Sequence, residues 1–291
     1  MAQAQPGTPP LMRVEQFTPV VDGLDHPEGV TWGPDGFVYA GGEAGQVYRV
    51  DLDGGTTEQL GSTGGFILGL CLDADRAVYA CDKGKRVVAR MSPSGDVTTY
   101  SNGTAERAMV TPNYAAFAAG GILYVSDSGT WRGNDGCLWL VRPGGETELA
   151  SIDLRAFPNG LALSPDGSEL YVVLSNLPGV ARVPMDAGGR LGTPQVAVHM
   201  PRTVPDGLAF DEQGDLYIAC YTPDVIYRLG RDGALDVVVE DWESTTLSSP
   251  TNIAFCGPDR RTLVAASLSR WHLARAAMPV AGAPLNYPRL R

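Results

Sequence analysis

The chain has 291 residues, with 33 acidic against 22 basic side chains and a formal net charge of −11. Phosphate binding needs clustered Lys and Arg, so this charge balance argues against a nucleic-acid partner. Glycine and proline are abundant, at 36 and 22 residues, which is typical of many short strands joined by tight turns. The length alone allows one or two domains.

The N-terminal residues contain neither the basic segment nor the apolar segment of a secretory signal. No apolar run is long enough to cross a bilayer, so we expect no membrane partner. The five cysteines are odd in number and lack a metal-site spacing, which favours small buried side chains in a reduced, cytoplasmic protein. Residues 1–10 are polar and rich in proline, and we predict a disordered tail there. The sequence does not indicate an oligomeric state.

A segment with the pattern of Val204–Cys220 occurs six times along the chain. The copies align on six marker residues at intervals of 40 to 47 residues: Pro27, Ile67, Pro112, Pro158, Pro205 and Pro250. Each copy contains a short apolar strand, a polar turn such as the one around Asp166, and a second strand. A repeat of roughly 40–50 residues made of short strands is typical of a propeller blade. We therefore predict an all-β, six-bladed β-propeller that forms a single domain over residues 11–291.

The predicted strands follow a four-strand rhythm along the chain. Val14–Val21 is predicted as a strand that precedes the first copy. Blade one then follows with the predicted strands Gly29–Trp32, Phe37–Gly41, Gln46–Asp51 and Thr57–Leu60. The sixth copy has only three strands before the chain reaches its proline-rich end. The simplest closure places Val14–Val21 in blade six as its outer strand, because closure removes exposed strand edges from the ring.

The residue after each marker departs from the apolar pattern of the strands. These six residues are Glu28, Leu68, Asn113, Asn159, Asp206 and Thr251. The first strand of every blade lines the central channel, so the four oxygen-rich residues of this set should meet at one mouth of it. Carboxylate and amide oxygens are hard ligands that suit Ca²⁺ or Mg²⁺, and also Mn²⁺ or Zn²⁺. The sequence predicts one divalent metal ion held by Glu28, Asn113, Asn159 and Asp206.

A simpler explanation exists for each of these positions taken alone. Asn and Asp often begin strands as turn formers that hydrogen-bond to their own backbone. Four equivalent positions at one predicted mouth favour the metal site over four separate turns.

The walls of the mouth come from the loops that enter each blade and the loops that follow its second strand. Aromatic side chains in these loops would either contact an organic substrate or pack locally. Our candidate substrate contacts are Thr111, Tyr114, Trp131, Asn176 and Tyr221.

Several motifs together resemble the senescence marker protein/gluconolactonase/luciferin-regenerating enzyme family. They are found at Pro27–Gly29, Pro112–Asn113, Pro158–Gly167, Pro205–Tyr217 and Pro250–Leu263. The resemblance implies a six-bladed propeller with one catalytic divalent metal, which hydrolyses lactones or, in a related branch, organophosphate esters. The family's metal ligands match Glu28, Asn159 and Asp206, and Asn113 matches an additional Asn that touches metal or substrate. Asp206 also matches the residue proposed as base or nucleophile.

The chain departs from the family pattern at three positions. Thr111 and Tyr114 stand where the third motif usually has Arg and Asp. Sugar-lactone members use that Arg on their substrate, so we expect a lactone or ester less polar than gluconolactone. Ala209 stands where the organophosphate-hydrolysing branch has an Asp for a second, central ion. We therefore expect no second ion of that kind.

The residues and the resemblance together predict a metal-dependent lactonase. The metal would polarise the ester carbonyl and activate a water, and Asp206 would act as general base or nucleophile. Calcium is the first choice of ion. One alternative is an organophosphate or aryl-ester hydrolase that uses the same site, and another is a non-catalytic propeller that binds a small-molecule ligand.

Overall fold

The computed structural model describes residues 9–290, which form six antiparallel sheets of four strands each. The first strands of neighbouring sheets contact one another, so these strands surround a central channel. The channel-lining strands are β2 (Val30–Trp32), β6 (Ile67–Leu72), β10 (Pro112–Phe117), β14 (Pro158–Leu163), β18 (Val204–Phe210) and β22 (Pro250–Cys256). This architecture is the predicted six-bladed β-propeller.

Each blade continues outward from the channel as an antiparallel meander. The second strands are β3 (Val38–Gly41), β7 (Val78–Asp82), β11 (Leu123–Asp127), β15 (Glu169–Leu174), β19 (Leu216–Thr222) and β23 (Thr262–Ser267). The third strands are β4 (Gln46–Val50), β8 (Val87–Met91), β12 (Cys137–Val141), β16 (Gly179–Pro184), β20 (Val225–Leu229) and β24 (Leu273–Ala277). The outer strands are β5 (Thr57–Ser62), β9 (Val97–Ser101), β13 (Thr147–Ser151), β17 (Gln195–His199), β21 (Leu235–Glu240) and, in blade six, β1 (Thr18–Val21).

The core lies between neighbouring sheets rather than within one layer. The second and third strands are covered on both faces, so β11 and β12 are buried along their whole length and consist mainly of apolar residues. The outer strand β13 is partly or fully exposed throughout. Trp139 of β12, one of the largest fully buried side chains, packs in the cluster between blades two and three.

The N-terminal strand closes the ring as predicted. In β1, Thr18 pairs with Arg275 and Val21 with Leu273 of β24. The predicted start of this strand was wrong, because Val14–Gln16 form a short 3₁₀ helix. The side chain of Gln16 accepts a hydrogen bond from the backbone N–H of Arg13 at 2.9 Å, which favours a turn over an extended strand. Most of the predicted disordered tail, residues 1–8, lies outside the described residues.

Residues 281–290, which we call the closing segment, cross the lower end of the channel, where the channel-lining strands end. The backbone N–H of Ala283 donates to the carbonyl of Phe210 at 2.9 Å. The side-chain amide of Asn286 donates to the carbonyl of Phe117 at 3.0 Å. The hydroxyl of Tyr287 donates to the carbonyl of Trp32 at 2.7 Å. The segment thus connects blades five, three and one across the channel. Within residues 9–290, no helix has the length and apolar character needed to cross a membrane.

Candidate metal centre

A one-residue bulge lies at the upper end of five of the channel-lining strands. In β10, Pro112 pairs with Asp127 but Ala115 pairs with Val125, so three steps on one strand match two on its partner. The register shifts in the same way after Ile67, Pro158, Pro205 and Pro250. A bulge interrupts the alternation of side chains between the two faces of a strand. In these five strands the residue after the marker therefore leaves the regular alternation of side chains.

Glycines let the blades approach one another closely at this level. A Cβ atom on Gly160 would clash with the carbonyl oxygen of Asp206, and one on Gly207 with that of Thr251. A Cβ on Gly29 would likewise clash with the carbonyl oxygen of Leu68. Only glycine permits such close backbone approach. The residues after the markers are thereby brought into one narrow ring at the upper mouth of the channel.

Two serines fix the orientation of the two ring amides. Ser128 donates to the carbonyl of Pro158 at 2.7 Å and accepts from Nδ2 of Asn113 at 2.9 Å. In the next blade, Ser175 donates to the carbonyl of Pro205 at 2.7 Å and accepts from Nδ2 of Asn159 at 3.2 Å. Each serine has used its only proton on a carbonyl, so it can receive only the NH₂ end of the amide. Both amide oxygens are left free for another partner.

These serines were missed at the level of sequence. Ser128 directly follows β11 and Ser175 directly follows β15, so they occupy the same place in two successive repeats. The recurrence of a serine directly after the second strand was the sequence signal that could have identified them.

Three acceptor oxygens of the ring have no hydrogen-bond partner among the described residues. They are Oδ1 of Asn113, Oδ1 of Asn159 and Oδ1 of Asp206. The residues that carry them are only 3%, 4% and 6% exposed, and Glu28 is 7% exposed. A buried polar atom without a partner costs about 1–3 kcal/mol. Buried oxygens that can only accept, together with a second carboxylate, fit a divalent cation as the missing partner.

The two ring carboxylates resist ionisation in the absence of a cation. Burial raises the pKa of Glu28 above its ordinary value, and Lys83 partly opposes this shift. Burial also raises the pKa of Asp206 well above its ordinary value, and the charge of Glu28 raises it further. Two buried like charges disfavour each other's ionised form. A cation would relieve both effects at once.

Blade six contributes to the ring by holding Glu28. Thr251 donates its hydroxyl to the backbone carbonyl of Glu28 at 2.8 Å, and Nδ2 of Asn252 donates to the same carbonyl at 3.1 Å. These two bonds join the last blade to the first at the level of the ring. They connect residues far apart in sequence, and no local pattern indicated them.

Four of the five candidate substrate contacts lie at or near the upper mouth. Trp131 is exposed and packs edge-on against Phe157, with ring centroids 4.8 Å apart. Tyr221 is exposed near the end of β19. Nδ2 of Asn176 is buried without a hydrogen-bond partner in the described part of the chain. Thr111 is half-buried, and its backbone N–H donates to Asp127 at 2.7 Å. Contact of these residues with a substrate stays a prediction.

Tyr114 occupies a different position from the other candidates. Its ring is only 8% exposed, and it packs in the apolar cluster between blades three and four with Leu161 and Leu138. The ring also lines the channel below the four ligand residues. This position does not favour a substrate contact at the upper mouth.

A second acidic group lies beside the mouth. Asp25, His26 and Glu43 could also hold a cation, because one ligand atom from each lies within 4.8 Å of the others. Nδ1 of His26, however, lies 3.2 Å from both Asp25 and Glu43. Asp25 also accepts hydrogen bonds from Ala44 and Gln46. These partners already satisfy the group, unlike the oxygens of the ring.

Comparison with known proteins agrees with this architecture. Residues 26–269 match the family model described as the SMP-30/gluconolactonase/LRE-like region. The chain belongs to this family. A 6-deoxy-6-sulfogluconolactonase of Pseudomonas putida is 30% identical over 259 residues, which cover 84% of this chain and 81% of the relative.

Two solved structures share the fold of this chain. A gluconolactonase from Xanthomonas campestris superposes with a TM-score of 0.78 at 20% identity and covers 90% of this chain and 89% of its own. Regucalcin from Agrobacterium tumefaciens, a calcium-binding protein, superposes with a TM-score of 0.77 at 18% identity and covers 98% and 100%. At these identities the likeness supports the fold alone.

Proposed function

We propose that the chain is a divalent-metal-dependent hydrolase of lactones. The observation that carries this proposal is the set of three buried acceptor oxygens without partners on Asn113, Asn159 and Asp206. The relative named as a sulfogluconolactonase, which aligns with most of this chain, supports a lactone as substrate. Lactones less polar than gluconolactone are the preferred candidates, because Thr111 offers no cationic group to a sugar.

Four residues would hold the ion: Glu28, Asn113, Asn159 and Asp206. Two carboxylates supply the charge that balances a divalent cation, and two amide oxygens complete a set of hard ligands. Ca²⁺ is the first candidate, and Mg²⁺, Zn²⁺ and Mn²⁺ fit the same oxygens less selectively. When bound, such an ion polarises an ester carbonyl and lowers the pKa of a water molecule.

The protein's own residues would perform the remaining steps. The carboxylate of Asp206 would accept the proton of the attacking water, or would attack the carbonyl carbon itself. Ser128 and Ser175 would keep the amide oxygens of Asn113 and Asn159 turned toward the ion. Thr251 would hold the backbone of Glu28 in place. The buried ring would exclude bulk water, which strengthens electrostatic stabilisation of the developing oxyanion.

A matched pair of variants tests the proposal. Purified protein loaded with Ca²⁺ should hold about one ion per chain by elemental analysis and should hydrolyse members of a lactone panel. Glu28→Gln should lose the ion and the activity. Glu43→Gln removes a carboxylate from the neighbouring acidic group and should keep both.

The other outcomes separate the alternatives. Wild-type protein without an ion, equal to Glu28→Gln in every assay, would refute the metal centre. Faster hydrolysis of aryl esters or organophosphates than of any lactone would favour that chemistry at the same ring. A bound ion without hydrolysis of any ester would favour a ligand-binding propeller.

A further inference from the structure

Below the metal centre, the channel is lined by a second ring of equivalent residues, all of them small and uncharged. Each lies three positions after a residue of the metal-centre ring: Thr31, Cys71, Ala116, Ala162, Ala209 and Ala254. Ala116, Ala162 and Ala209 are half-buried although they lie within channel-lining strands. Their exposed surface faces an internal space. Small side chains at all six positions leave the channel open here.

This space is a cavity of about 500 Å³. Its walls include Leu161, Leu208 and Ile253 from the strands, and the closing segment adds residues 283–287. The volume falls within the roughly 300–1,000 Å³ that small-molecule sites occupy. No member of the small-residue ring carries a charge, so this part of the channel does not suit an ion. The lining also includes the two carboxylates of Asp166 and Asp186, but both residues are exposed. An uncharged guest with a large apolar part matches the strand residues of the walls.

One wall of the cavity carries an unused hydrogen-bond donor. The ring of Tyr114 is more than nine-tenths buried and lines the cavity. Its hydroxyl makes no hydrogen bond to a group in residues 9–290. Other buried tyrosines are partnered, since Tyr39 donates to Asp35 at 3.0 Å and Tyr79 to Asp73 at 3.1 Å. A phenolic hydroxyl is protonated at neutral pH, so that of Tyr114 is available as a donor. Buried hydroxyls normally find a partner.

The cavity is separate from the metal centre. A Cβ on Gly69 would clash with both the ring of Tyr114 and the carbonyl of Asn113, which shows how tightly the strands meet at this level. The four proposed metal ligands are not part of the cavity lining. A molecule in the cavity would therefore occupy the channel between the upper ring and the closing segment.

We propose that this cavity is a second binding site for a small, uncharged and largely apolar molecule whose carbonyl oxygen accepts a hydrogen bond from Tyr114. The site does not depend on the metal or on lactone hydrolysis. The small-residue ring provides the space, the apolar strands provide the contacts, and Tyr114 orients the guest. Such a guest would be a ketone or an ester rather than a sugar or an anion.

The test uses 6-propionyl-2-dimethylaminonaphthalene, an uncharged ketone whose emission moves to shorter wavelength in apolar surroundings. The full-length protein should bind one molecule of this probe saturably, with or without a metal chelator. Ala162→Phe fills the cavity and should abolish binding. Ala234→Phe makes the same change at an exposed turn of blade five and should leave binding intact. If thermal melts show that Ala162→Phe does not fold, Ala209→Leu applies the same test with a smaller side chain.

The role of Tyr114 has its own readout. Tyr114→Phe should weaken binding of the ketone about 5-fold, the effect of one hydrogen bond. It should not weaken binding of 2-dimethylaminonaphthalene, which lacks the carbonyl. Equal weakening of both probes would overturn the assignment of Tyr114. Absence of saturable binding by wild type, or unchanged binding in the filled variants, would overturn the site.

Discussion

The side-chain amide of Asn113 donates to the hydroxyl of Ser128 at 2.9 Å, and this single bond decides which end of the amide faces the proposed metal centre. The same relationship recurs between Asn159 and Ser175 in the next blade. Positioning of ligands by a second layer of hydrogen bonds commonly tunes metal affinity. Substitution of either serine would therefore disturb the proposed metal centre while all four proposed ligands stay unchanged.

Ser128→Ala should weaken metal binding without unfolding the protein. The amide of Asn113 would lose its fixed orientation, and the carbonyl of Pro158 would lose a donor. We expect a 10- to 100-fold loss in calcium affinity, as for other outer-layer partners of metal ligands. Isothermal titration calorimetry with Ca²⁺ measures this affinity. Ser94→Ala, at an exposed turn, is the control. Equal affinities for both variants would contradict the assigned role of Ser128.

The stability of the metal-free protein should fall as pH rises above about 4. Glu28 and Asp206 have raised pKa values in the folded state, against about 4.3 and 3.9 when unfolded. Between the unfolded and folded values, the folded state holds more protons than the unfolded state, so rising pH favours unfolding. Urea denaturation in a chelator at pH 5 and pH 8 measures the difference.

The variant Glu28→Gln separates the contribution of Glu28 to the pH dependence of stability from the contributions of other titratable groups. The neutral amide removes one of the two coupled charges, so the metal-free variant should gain stability relative to wild type as pH rises, by roughly 1–3 kcal/mol at pH 8. With saturating Ca²⁺ the order should reverse, because wild type alone gains the binding energy of the ion. A constant difference between the two proteins at both pH values would contradict the raised pKa of Glu28.

Asp206→Asn keeps an oxygen ligand of similar shape but removes the proton acceptor. If Asp206 is the base or nucleophile, kcat should fall about 10²–10⁴-fold and should stay low at saturating metal. If Asp206 only binds the ion, excess Ca²⁺ should restore most of the activity. Steady-state kinetics on a hydrolysed lactone, measured across a range of calcium concentrations, distinguishes the two roles.

Removal of residues 1–22 should destabilise the protein far more than removal of residues 1–10. The longer deletion takes away β1 and the buried side chain of Phe17, and it exposes the edge of β24. Exposed edges promote aggregation as well as unfolding. Thermal melts and light scattering on the two truncated proteins provide the measurement, and matching melting temperatures would contradict the role of β1 in closing the ring.

The architecture could be predicted because its signals are local and repeated. The turn around Asp166 and the strand Gln195–His199 each follow from a few neighbouring residues. The four proposed ligand positions also stand out in the sequence, because polar residues recur where the repeat otherwise has apolar ones. Six copies of one pattern reinforce one another in a way that a single strand does not.

The contacts that hold Glu28 and the closing segment in place could not be predicted, because they join distant parts of the chain. Thr251 bonds to Glu28 across 223 positions, and Tyr287 bonds to Trp32 across 255. The turn at Val14–Gln16 was missed because the apolar residues around it also suit a strand. The ring of Tyr114 was expected at the mouth, and the close approach of Gly69 that places it lower has no signal in the spacing of residues.

The repeated bulge makes the chemistry of the centre adjustable without change to the backbone. Leu68 and Thr251 occupy the same ring as the four proposed ligands, and the strand of each has the same register shift after its marker. Substitution at Leu68 would alter the charge and the number of oxygens around the axis without removing a hydrogen bond of the scaffold, whereas Thr251 also holds the carbonyl of Glu28. In a ring built in this way, a single side-chain replacement can change the charge at the axis.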